Sequence, residues 1–109
     1  MSKNFKDQRL FERLSVRFPV RLVNENFGNC ENTVVRDISG QGVRIHTSKR
    51  LSVFDKLSLS FDMPRSSSSI DVDGHVVWSS SESNDSCHAG VRFNCPNLME
   101  TAAILKAFQ

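Results

Sequence analysis

Four stretches of this chain alternate apolar and polar side chains with a period of two, and that pattern narrows the fold most. Leu57, Leu59, Phe61 and Met63 alternate with Ser58, Ser60 and Asp62 in the cleanest example. Val43, Ile45 and Thr47 alternate with Arg44, His46 and Ser48. Cys87, Ala89, Val91 and Phe93 do the same, as do Val16, Phe18, Val20 and Leu22. Successive strand side chains point to opposite faces, so each stretch reads as a strand with one buried face. Pro19 cannot donate to a ladder and favours an edge or a bulge in the first strand.

Two further strands complete the set. Asn32 to Ile38 is centred on Thr33-Val34-Val35 and runs into the turn Ser39-Gly40-Gln41-Gly42. The short gap to Val43 predicts an antiparallel hairpin. Ile70 to Trp78 is the other strand, with Gly74 expected at a bulge or kink. Asn24 to Asn29 carries turn chemistry, and Leu51 to Phe54 reads as a brief turn. Pro64 to Ser69 and Ser79 to Ser86 read as serine-rich loops. Near the end the period changes. Asn97 can cap a helix whose apolar residues are Leu98, Ala102, Ile104, Leu105 and Phe108. Such a helix must lie on something apolar, and an open barrel end is a natural place. Six short strands and one terminal helix predict a mainly β fold, a six-stranded antiparallel barrel.

The 109 residues suffice for one domain, divided as a flexible N-terminal arm over 1–13, a barrel over 14–96 and a helix over 97–108. No apolar run approaches a membrane span, and Met1 to Lys6 is polar, so a cytoplasmic protein is expected. Cys30, Cys87 and Cys95 are odd in number and form no C-x-x-C pair, so they read as small packing residues rather than a disulfide framework. His46, His75, His88 and the cysteines are scattered, and no metal is expected. His75 and His88 fall on the polar phase of their strands and should lie at the surface. Trp78 is in phase with Val76, which places it in the core.

Charge is unevenly spread. Residues 1–21 hold six basic side chains against two acidic ones, leaving the rest of the chain net negative. A basic arm on a near-neutral body fits an anionic partner. Within that arm, Arg9 and Arg13 are four apart and share one side of either a helix or an extended segment. Two guanidinium forks can then converge on one ligand, binding phosphate bidentately or guanine O6 and N7. Arg17 and Arg21 repeat the spacing but fall on the polar side of the first strand. A second pattern, Asp37-x-Ser39-x-x-Gly42, lies where a strand turns. It can be a tight hairpin, with Asp and Ser bonding nearby amides and Gly at positive φ. Equally, the carboxylate can accept from guanine N1–H and N2–H, Ser39 can donate, and Gly42 can let a ligand approach the main chain.

Together the two patterns resemble the PilZ domain family, which carries an R-x-x-x-R arm and a [D/N]-x-S-x-x-G turn. The register is supported by Leu14 to Leu22, Val34 to Val43, His75 to Trp78 and Ala89 to Phe93, which resemble the family's strands. The resemblance spans about residues 8 to 108. It implies a six-stranded barrel with a C-terminal helix and a receptor for the bacterial second messenger cyclic di-GMP. By the same resemblance Arg9 and Arg13 take phosphate and guanine, while Asp37, Ser39 and Gly42 read a guanine edge. Gln8 and Gly40 are additional candidates. Some family members have an arginine where this chain has Gln8, which leaves open one ligand or a stacked pair.

Three functions compete. The first is a non-enzymatic cyclic di-GMP sensor, needing no cofactor, a monomer or weak dimer whose arm orders on ligand entry and signals to a partner protein. The second is a single-stranded nucleic-acid module using the basic arm, though the chain lacks dense basic and aromatic interleaving. The third is an adaptor that binds protein only. There is no G-x-S-x-G elbow or Walker loop, which argues against an enzyme.

Overall fold

The computed structural model describes residues 14–64, 67–95 and 98–107. The expected arm over 1–13, the Asn97 cap and Phe108 lie outside the described residues. The strands in chain order are β1 (Leu14–Pro19), β2 (Arg21–Asn24), β3 (Gly28–Cys30), β4 (Val34–Ile38), β5 (Gly42–Thr47), β6 (Lys56–Asp62), β7 (Ser69–Ser83) and β8 (Ser86–Phe93). Helix α1 (Leu98–Ala107) follows.

All strand neighbours are antiparallel, in the order β1-β4-β5-β8-β7-β6-β2-β3. Only Val20 separates β1 from β2, and its N–H donates to the Thr33 carbonyl at 3.0 Å. One bent strand therefore pairs with β4 through its first half and with β6 through its second. That continuity curls the sheet into a half-barrel. Pro19 ends β1 at one end of the sheet order, beyond a register shift between Ser15 and Phe18.

The expected count of six strands is corrected to eight hydrogen-bonded segments among the described residues, or seven if the bent first strand is taken as one. The added strand, β3, falls where the sequence shows only turn chemistry. Its three residues, Gly28-Asn29-Cys30, pair with β2 across a tight turn in which Gly28 takes a φ of 82°. A segment so short has no period to read.

The alternation sorts side chains as expected along β5, β6 and β8. Val43 and Ile45, then Leu57, Leu59 and Phe61, then Cys87, Ala89, Val91 and Phe93 all face one core. Among the helix side chains described, Ile104 is buried and joins that core. Ala102, expected on the apolar line, is exposed, and Met99 is 83% exposed. Glu100 in the first turn and Lys106 in the last suit the helix dipole.

The serine-rich loop expected over 79–86 is instead mostly strand. β7 runs on to Ser83, and the turn is only Asn84-Asp85. Ser79, Ser80 and Ser81 pair with Ala89, His88 and Cys87. A partner strand already in place overrides serine's weak strand preference. Gly74 is not at a bulge either. It pairs regularly with Leu57 and Phe93, and a Cβ there would lie 2.6 Å from the Arg92 carbonyl oxygen.

Cys30 and Cys87 are buried in strands and Cys95 is exposed, all as free thiols. Burial pushes the Cys30 thiol up, against a smaller opposing pull from the Lys49 charge. Thiolate is the reactive form, so one fast and two slow thiols are expected toward a disulfide reagent at neutral pH. Cys30 and Cys87 should react fully only after unfolding in urea. Three equally fast thiols in the native protein would contradict this packing.

Candidate functional site

The hairpin β4–β5 builds one wall of an open cleft. Ser39 N–H donates to the Gly42 carbonyl at 2.9 Å, closing the turn. The Ser39 hydroxyl makes only long bonds, 3.4 Å to the Gly42 carbonyl and 3.4 Å from Gln41 N–H. A short hydroxyl bond would fix this side chain in place, whereas these leave it lightly held.

Asp37 enters the cleft through an irregularity in β4. The pairing runs Val35↔Ile45 and then Asp37↔Arg44, so Arg36 is an extra residue. The Arg44 guanidinium Nε donates to Asp37 Oδ2 at 2.6 Å. Asp37 is buried while Arg44 is partly exposed. Burying a carboxylate is costly unless it is paired, and a charge-assisted bond of this length supplies the pairing.

The opposite wall comes from β7 and β8. A second irregularity lies between Val76 and Trp78, where two β7 steps oppose one step of β8 from Val91 to Gly90. Val76 is buried, but beyond the bulge Val77 and Trp78 are 41% and 42% exposed. The extra residue reverses the phase of the strand. The core position expected for Trp78 is therefore corrected: the indole lies on the outer face. It sits flat over Gly90, where an added Cβ would collide with Nε1 and lie 2.7 Å from Cδ1 and Cε2. Gly90 is thus the seat of the indole.

The cleft has a volume of about 260 Å³ and is lined by Asp37, Ile38, Ser39, Gln41, Gly42, Val43, Arg44, Val77, Trp78, Gly90, Val91 and Arg92. Three of the residues picked from sequence, Asp37, Ser39 and Gly42, meet here. Gly40 is buried in the turn and does not line the cleft. Arg9, Arg13 and Gln8 lie outside the described residues. Trp78, Arg44 and Arg92 were missed. The two arginines stood on the polar phase of strands flanking the motif, a usable signal, whereas the bulge that exposes Trp78 has none.

The positive φ expected at Gly42 is corrected. Among the described glycines only Gly28 has positive φ. A Cβ at Gly42 would overlap the Val91 carbonyl oxygen. Close approach of β8, not turn conformation, demands the glycine.

A polar turn, a paired carboxylate, two arginines and a flat indole face one cleft, and the PilZ domain family model matches residues 7–108. The chain belongs to the PilZ family. Its match covers nearly all of the sequence, so the Asp37–Gly42 turn lies well inside a PilZ domain. PilZ domains are a cyclic di-GMP-binding family of binding and adaptor domains. Comparison with curated proteins gives no match. Among the described residues no helix is long and apolar enough to cross a membrane.

Proposed function

We propose that this PilZ domain is a cyclic di-GMP receptor that acts as a non-enzymatic adaptor in the bacterial cytoplasm. The observation that carries the reading is the convergence of Asp37, Ser39 and Gly42 on the cleft that Trp78 overlooks. The Asp37 carboxylate accepts from the N1–H and N2–H of one guanine. The indole offers a flat surface on which a base stacks, and such stacking contributes about 1–3 kcal/mol. At about 260 Å³ the cleft is slightly below the usual range for ligand pockets, roughly 300–1,000 Å³. It therefore takes part of the dinucleotide, and Arg9 and Arg13 close over the phosphates and the remaining base. Closing the arm over the ligand creates the surface that a partner protein reads, because the ligand favours the closed state.

Titration calorimetry with cyclic di-GMP tests this. Micromolar or tighter binding is expected for the full chain, and its stoichiometry distinguishes one ligand from a stacked pair. Arg13→Ala and Asp37→Ala should each weaken binding by about 5- to 150-fold, the equivalent of 1–3 kcal/mol per lost base contact. Trp78 is the single tryptophan, so its emission should change on binding. Full affinity in both variants would refute the site. A steep salt slope with oligonucleotides of any sequence would favour the nucleic-acid reading instead.

A further inference from the structure

We propose that His46, His88 and Glu82 form a Zn²⁺ site on the outer face of the sheet, independent of the nucleotide cleft. Strand pairing places His46 on β5 directly opposite His88 on β8. Their rings stack with centroids 4.5 Å apart and planes 23° apart. Glu82 arrives from β7. The ladder there passes from Ser81↔Cys87 to Ser83↔Ser86, so Glu82 is the extra residue of a bulge. Bulges re-aim side chains, and this one carries the carboxylate to β8. Glu82 Oε1 lies 3.3 Å from His88 Nε2 and 3.3 Å from the Ser86 hydroxyl. That hydroxyl is in turn 2.6 Å from His46 Nε2.

One donor atom from each of the three residues lies within 4.8 Å of the other two. Zinc bonds of about 2.0–2.2 Å in tetrahedral geometry set ligand atoms roughly 3.3–3.6 Å apart. The His88–Glu82 separation already meets that spacing. The rest of the set closes by a shift of about 1 Å or slightly more, within the reach of imidazole rotation and a long carboxylate side chain. Three protein ligands leave a fourth position beside Ser86, open to water. Two imidazole nitrogens and one carboxylate suit zinc, whereas magnesium and calcium require oxygen donors.

Such an ion would join β5, β8 and the tip of β7, fastening the Asn84-Asp85 hairpin to the sheet. Ligands that bind only the folded state stabilise it by mass action. The test is titration of the full chain, carrying Cys95→Ser to remove the exposed thiol, with ZnCl₂ in metal-free buffer without nucleotide. One Zn²⁺ per chain and a rise in melting temperature are expected, with MgCl₂ silent. His46→Ala/His88→Ala should abolish binding. Glu82→Gln, on an exposed strand end that folds regardless, should weaken it at least about tenfold. No binding by the parent chain, an equal response to MgCl₂, or unchanged affinity in Glu82→Gln would overturn the site. Because nucleotide is absent throughout, the result does not depend on the cyclic di-GMP reading.

Discussion

Gly42→Ala is expected to destabilise the ligand-free domain by about 3 kcal/mol, the upper end for overpacking a well-filled site. The alanine methyl would overlap the Val91 carbonyl oxygen and lie 3.1 Å from Arg92 Cα. Both are backbone atoms of β8, and Gly42 is itself paired with Arg92. A side chain could rotate away, but here a ladder must shift. For a domain of this size the loss corresponds to a fall in Tm of roughly 12–24 °C, at about 4–8 °C per kcal/mol. Urea unfolding monitored by circular dichroism measures it. Ser39→Ala supplies the contrast. Its hydroxyl makes only 3.4 Å bonds, so its removal should cost less than about 1 kcal/mol. A glycine kept only for ligand approach would give the opposite pattern, with Gly42→Ala as stable as the parent and impaired only in binding.

Phe61→Ala should cost about 3–5 kcal/mol, the usual range for truncating a buried phenylalanine. Phe61 is 0% exposed and is the largest fully buried side chain among the described residues. It stands on β6, a strand paired on both sides, opposite Ile70 of β7. Neither neighbour can collapse into the cavity without breaking a ladder. A domain of this kind holds only about 5–15 kcal/mol in total, so the variant keeps a fraction of its margin. Phe27→Ala, at a residue 56% exposed, should stay within about 0.5 kcal/mol of the parent. A loss below 1 kcal/mol for Phe61→Ala would mean that β6 does not cross the core as described.

The difference between these phenylalanines was legible in the sequence. Leu57, Leu59 and Phe61 recur at every second position, and all three are buried. Phe27 stands among asparagines and glycine in a turn. The Asp37–Gly42 turn was legible for the same kind of reason, since hairpin chemistry acts over a few residues. The role of Gly42 was not, because the atom that excludes a side chain there belongs to Val91, forty-nine positions away. Trp78 shows the same limit more sharply. Its phase with Val76 pointed inward, and one inserted residue at Val77 turned it to the cleft. His46 and His88 look scattered in the sequence, and nothing there ties Glu82 to them, because what unites the three is the pairing of β5, β8 and β7.

What the order of residues settled, then, is where strands run, which side of most of them is apolar, and where the chain turns. Those properties depend on backbone and side-chain preferences over two to four positions, and they are written locally. What required the assembled sheet is which strands lie side by side, where a ladder gains a residue, and which side chains meet across it. Asp37 and Trp78 share a cleft, and His46 and His88 share a stack, through contacts between segments far apart in the chain. Such contacts exist only once the intervening loops have closed, and the free energy of packing and backbone pairing decides them.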